Sequence, residues 1–164
     1  MDVWHALLEI GACEKISGEE MKLLKTAALF HDSGFIITYR GHENASCNIV
    51  EECLPQFDYN AYQISRIKGM IMATRLPQDP QNHLEEILCD ADLDYLGRKD
   101  FYAIADTLYQ EFLHHGIVDD PESWNRLQLS FLEKHQYFTE FSTKYRKPLK
   151  NRHMEEIRKM VGKY

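Results

Sequence analysis

The sequence lacks any apolar run of about 18 residues or more, so no segment is expected to cross a membrane as a helix. It also lacks a basic start followed by an apolar stretch and a small-residue cleavage site, so no secretory signal is expected. No strong period-2 alternation marks a strand, and there is no internal repeat or low-complexity tract. Cysteine is sparse. The four residues Cys13, Cys47, Cys53 and Cys89 form no C-x-x-C pair, which argues against a structural zinc knuckle. With no export signal, the thiols read as reduced and the chain as cytoplasmic. Positive charge is also short: 19 Lys and Arg against 26 Asp and Glu leave a formal net charge of −7. That disfavours a broad basic face for nucleic acid. It does not disfavour a small phosphorylated ligand, because a bound cation reverses the local field.

What is present is helical punctuation. Eight glycines and five prolines divide the chain into helix-sized pieces. The first helix is expected from Met1 to about Ile10, with Val3, Leu7 and Ile10 in phase and an extension to Cys13. Its period is already running at Met1, without an evident cap. Gly18-Glu19-Glu20 opens a second helix with Met21, Leu24, Ala27 and Ala28 on one face, ending near Ser33-Gly34. Residues 44–54 carry Ile49, Val50, Cys53 and Leu54, and Pro55 stops them. From Asn60, the residues Ile64, Ile67, Ile71 and Thr74 share a stripe, before a loop marked by Pro77 and Pro80. Leu84, Leu88, Ala91, Asp92 and Tyr95 share a face of the next helix, closed by Gly97. Asp100 is expected to cap a helix with Phe101, Ile104, Leu108 and Phe112. Asp120-Pro121 precedes a long helix with Trp124, Leu127, Phe131 and Phe138. Pro148 is expected to break that run before a last helix with Met154, Ile157 and Val161. The expectation is an all-α fold of about eight helices in one domain spanning 1–164, with 101–164 as a helical extension.

Two features break the apolar pattern. His31 is the next member of the Leu24/Ala27/Ala28 stripe and points an imidazole inward, with Asp32 directly after it. Asp90-Ala91-Asp92 lies in the middle of a helix among Leu88, Leu93 and Leu96, where aspartate is a poor residue. Helical phase places Asp92 on the Leu88/Tyr95 face and rotates Asp90 away. Buried charge is costly unless paired or bound to metal. A His-Asp pair from one helix and a carboxylate from another can meet around one cation. Imidazole with carboxylates suits manganese, iron, nickel or zinc, and the oxygens also accept magnesium.

The segments AALFHDSGF and LCDADLDYLG resemble the two signature pieces of the HD-domain metal-dependent phosphohydrolases. HENAS and IxxIKGMIMAT are similar to that family's connecting helices. The resemblance covers roughly residues 1–100 and implies a multi-helix HD-domain fold with a divalent metal ion. By the resemblance His31 and Asp32 match the His-Asp pair, and Asp92 matches the distant aspartate, all as metal ligands. The family's first histidine, often in a Tyr-His-Asn-x-x-His-Thr stretch, would fall upstream of Met1. His5, the histidine of the first helix, is a candidate substitute ligand. His42 is a candidate ligand, phosphate contact or proton carrier, against the plainer reading of a solvated loop histidine that caps the next helix.

Lys68, Arg75 and Arg98 are candidate phosphate contacts, each otherwise an ordinary surface cation. Thr74 reads as a packed threonine bonded to a carbonyl. His83, His114, His115 and His153 read as solvated, and His135 as a core histidine. Tyr95 and Trp124 read as core. The resulting expectation is a phosphohydrolase for a phosphomonoester or phosphodiester, a nucleotide above all, with Asp32 and His42 nearest the chemistry. The rivals are a degenerate HD module that binds without turnover and a regulatory domain of a larger signalling protein. With the first histidine missing, weak turnover and a readily lost metal are expected.

Overall fold

Helices and the turns between them make up the whole of what the structure describes. The computed structural model describes residues 2–163, and no strand occurs among them. The helices are α1 (Asp2–Cys13), α2 (Gly18–Phe30), α3 (His42–Cys53), α4 (Ala61–Ala73), α5 (His83–Asp92), α6 (Phe101–His114), α7 (Pro121–Lys134), α8 (Glu140–Tyr145) and α9 (Lys147–Val161). Short 3-10 turns occupy Ser33–Ile36, Leu54–Phe57 and Asp94–Gly97. The expected all-α class is therefore what the chain adopts. No helix among the described residues is long and apolar enough to cross a membrane.

Local chemistry explains where the helices begin. Ser17 with Glu20, Asn60 with Gln63, and Asp120 with Ser123 each form a reciprocal capping box. Asp100 occupies the cap position of α6 but makes no capping bond, because Arg98 takes its carboxylate. The long helix expected from 121 to 138 ends at Lys134. Backbone groups there find other partners: the Lys150 ammonium donates to the His135 carbonyl, and Asp90 accepts from the amides of Phe138 and Thr139. His135 is consequently extended. Pro148 does not break a helix but sits in the first turn of α9, where its missing N–H is no loss.

Contacts group the chain into two compact units, Met1–Leu93 with Phe138–Glu140, and Asp94–Tyr137 with Phe141–Tyr164. In the first, α1 packs on α2 and α5, α2 on α4, and α4 on α3 and α5. Leu7, Ile10, Leu24, Val50, Ile67, Ile71 and Leu88 are wholly buried there. In the second, α9 packs on α7 and on the Asp94–Gly97 turn, which also contacts α6. Leu96, Phe101, Leu132 and Ile157 are its most deeply buried apolar side chains. Two residues of this unit differ from the expectation. Leu127 is exposed, and His153, expected in solvent, is buried, stacked on Phe101 at 4.4 Å with Nδ1 3.0 Å from the Leu96 carbonyl.

Candidate functional site

His31 closes α2 as its C-terminal cap residue, continuing the buried stripe of Leu24, Ala27 and Ala28. The chain then turns at once through Ser33–Ile36. Ser46 of α3 holds this corner. Its buried hydroxyl donates to the His31 carbonyl at 2.7 Å and accepts from the Gly34 amide at 2.8 Å. Gly34 is required by close approach, since a Cβ there would run into the His42 carbonyl and the Ser46 amide. Ser33 adds a bond from its hydroxyl to the Phe30 carbonyl at 2.7 Å. The His31-Asp32 pair is thus fixed by backbone on both sides.

The His31 ring is 6% exposed, and its Nδ1 lies 2.8 Å from the Ala28 carbonyl. A donor hydrogen there leaves Nε2 as the nitrogen that faces the acids. Asp32 Oδ2 approaches Nε2 at 3.2 Å and Asp92 Oδ1 approaches it at 3.4 Å. Both are close enough for charge pairing, yet neither is aligned as a hydrogen bond, and Nε2 is a buried atom with no hydrogen-bond partner. Burial pulls the imidazole pKa down, but the two carboxylates outweigh it and push it up to about 10. Burial raises the Asp32 carboxyl, and the His31 and His42 charges reverse this and hold it below its ordinary value. Asp32 keeps about half its side chain in solvent and Asp92 about a quarter, so the cluster is reached from outside.

His42 starts α3 and joins the cluster through Asp32, with Nε2 3.4 Å from Oδ1 and 3.7 Å from Glu43 Oε1. Its ring stacks on Phe35 at 3.8 Å between centroids and 17° between planes. His42 therefore sits on the edge of the cluster, one carboxylate removed from His31, and is not a free loop histidine.

A shared cation with donors about 2.0–2.2 Å away would hold those donors roughly 3.0–3.4 Å from one another. The two separations at Nε2 have that size, and Nε2 is otherwise orphaned. His31, Asp32 and Asp92 thus fit a divalent ion chemically. No group of three or more His, Cys, Asp or Glu side chains among the described residues is arranged as a ready-made metal cage. The two Nε2 separations meet that spacing, while the three donors do not together form such a group as they stand.

The other candidates lie elsewhere. His5 is exposed on α1 and makes none of these contacts. Lys68 is paired with Glu51 at 2.5 Å. Arg98 belongs to the second unit and is committed to Asp94 and Asp100. Arg75 is exposed and lines a cavity with Gly69, Asp79 and Glu85. Thr74 is buried and donates to the Ile71 carbonyl at 2.7 Å, the packing role its stripe implies. Asp90, rotated away as phase requires, is fully buried and accepts from the Phe138 amide at 3.0 Å, the Thr139 amide at 2.9 Å and the Thr139 hydroxyl at 2.7 Å. Ser46 and Gly34 were not singled out from sequence. Their signal was the small-residue pattern, a glycine just after His-Asp and a serine within HENAS. Comparison of the chain with protein-family models, with curated proteins and with solved structures returned no match.

Proposed function

We propose that His31, Asp32 and Asp92 hold one divalent cation and that the chain hydrolyses a phosphomonoester or phosphodiester, with a nucleotide as the expected substrate class. The observation that carries this reading is the orphaned, buried Nε2 of His31 faced by two carboxylates from separate segments. When bound, such a cation polarises a phosphoryl oxygen and brings the pKa of its water toward neutrality. The chain's own part is to present the donors. The Ala28 carbonyl fixes the His31 tautomer, and Ser46 fixes the backbone around it. His42, steadied by Phe35 and adjacent to Asp32, is the group placed to hold or return a proton at the solvent edge.

A second reading is favoured by one specific fact. α1 contributes no donor, so among the described residues three ligand side chains are present and His5 is not a fourth. A site of that kind binds a cation loosely, and the module then serves as a binder without turnover. Metal analysis of the purified chain before and after dialysis, followed by a phosphoester panel with added manganese, separates the two. Metal uptake with hydrolysis that disappears in Asp92→Ala supports the enzyme. Metal uptake with no hydrolysis supports the binder. No uptake of manganese, nickel or zinc by the folded chain overturns both.

A further inference from the structure

Two cavities of about 530 and 310 Å³ border α4 and the start of α5, and both are lined by Gly69 and Glu85. None of the residues of the acid–imidazole cluster lines either one. Glu85 is a buried carboxylate, 8% exposed. One oxygen, Oε2, accepts from the Gln81 amide at 2.7 Å and so closes the helix start. The other, Oε1, is aimed at Gly69, where an added Cβ would lie 3.0 Å from it. Oε1 has neither a hydrogen-bond donor nor an ion-pair partner among the described residues, and it is open to water rather than sealed in the core. Glycine inside a helix costs about 1 kcal/mol against alanine. At this position it keeps open the space in front of the carboxylate.

Two cations line the same cavities without pairing to Glu85. Arg75 is exposed on the larger one and has no ion pair among the described residues. Arg66 lines the smaller one and reaches Glu20 only at 3.8 Å. A carboxylate oxygen that lines a cavity and is satisfied there only by water can take a cationic donor from a ligand in its place. A guanidinium on the rim of the same cavity calls for an anion. A volume of this size is in the range of small-molecule sites.

We propose that the Glu85 cavity is a second ligand site, separate from the acid–imidazole cluster, that takes a small zwitterion: an ammonium on Glu85 Oε1 and a carboxylate on Arg75. The site does not depend on metal or on hydrolysis. The test is calorimetric and NMR titration of the full chain with glycine, β-alanine, 4-aminobutyrate and 6-aminohexanoate, beside putrescine and butyrate as single-charge controls. At least one amino acid of the series is expected to saturate in the millimolar range or tighter, and at least tenfold more tightly than either control. Glu85→Gln keeps an oxygen for the Gln81 amide and removes the charge, and it should weaken that binding at least tenfold. Arg75→Ala, a change at an exposed residue, should do the same without touching the helix start. The proposal is overturned if no amino acid saturates below about 50 mM, if a control binds as tightly, or if Arg75→Ala binds like the parent chain.

Discussion

Asp92 and Asp94 are two residues apart and shelter their carboxylates from water by different means. Asp94 is 1% exposed and has its counter-charge built in. Arg146 Nε reaches one oxygen at 2.7 Å, and Arg98 Nη1 reaches the other at 3.4 Å. Guanidinium does not titrate in the working range, so that pairing is permanent. Asp92 faces His31, whose nitrogen carries an exchangeable proton. One carboxylate is neutralised by the fold itself. The other is neutralised by something that can leave and be replaced. Burial alone therefore does not mark a site. An incompletely satisfied partner does.

The largest expected effect tests the permanent side. Asp94→Ala takes from the mostly sheltered Arg146 guanidinium the carboxylate it meets at 2.7 Å, while Arg98 keeps Asp100. Removing one partner of a buried pair costs about 3–5 kcal/mol. Urea unfolding should show a loss of that size for Asp94→Ala. The same experiment on metal-free Asp92→Ala should show no more than about 1 kcal/mol, because Asp92 is about a quarter exposed and the imidazole facing it can give up its proton. Equal losses would erase the distinction drawn here.

Asp90 and Asp92 sharpen it within a single helix. Asp90 accepts from three donors of Phe138 and Thr139, so Asp90→Ala strands sheltered donors. The expected cost is about 2–4 kcal/mol. The metal content of the molecules that remain folded should be unchanged. Under the proposed cation site, Asp92→Ala should give the reverse, near-parent stability and lost metal. Elemental analysis on the folded fraction of each variant reads this directly, and matched metal loss in both would contradict the assigned phase.

The sequence made the cluster legible because its signal is local: a polar pair on an apolar stripe and an acid on the inward side of a helix. The same phase reasoning separated Asp92 from Asp90. It did not reveal that Asp90 closes the Phe138–Glu140 segment, because that bond joins residues far apart in the chain. Nor did it find Asp94, whose partner Arg146 is 52 positions away. The continuous helix expected through Phe138 failed for a related reason. Apolar spacing there persists past Lys134, while distant groups at Lys150 and Asp90 capture the backbone that would have continued it. Helix starts fared better, since Asn60 and the Asp120-Pro121 pair act on neighbours within one turn.

Two sheltered histidines, His31 and His135, extend the comparison to pH. His31 is held charged by carboxylates. His135 of the second unit has both ring nitrogens buried without a partner, and burial, helped by Lys150, pushes its pKa down to about 3. The unfolded chain binds a proton on this ring below pH 6.5, whereas the folded chain does not until about pH 3. Stability from this residue is therefore complete above pH 6.5 and falls as pH drops through that window. Allowing for partial solvent access, the loss is roughly 2 kcal/mol. His135→Leu should flatten the urea-unfolding profile between pH 6.5 and 4 relative to the parent chain. An unchanged slope would show that the folded ring takes up the proton as readily as the unfolded one.

The smallest effect belongs to a charge that the fold has already spent on its surface. Lys68 meets Glu51 at 2.5 Å, with about a third of the lysine side chain and most of the glutamate side chain in water. Exposed pairs of this kind contribute under about 1 kcal/mol, because water and salt screen them. Glu51 holds the Lys68 ammonium above its ordinary pKa, so the lysine stays charged but neutralised at its own surface. A phosphate would have to compete with that carboxylate, and Lys68 makes no hydrogen bond or ion pair with His31, Asp32 or Asp92. Lys68→Ala should change unfolding stability by less than about 1 kcal/mol and, in the hydrolase reading, leave KM for a phosphoester within about twofold. The double variant with Glu51→Ala should be no less stable than the sum of the two single changes. A tenfold rise in KM for Lys68→Ala alone would mean that the lysine leaves Glu51 for the substrate, and would restore it to the phosphate contacts expected from sequence.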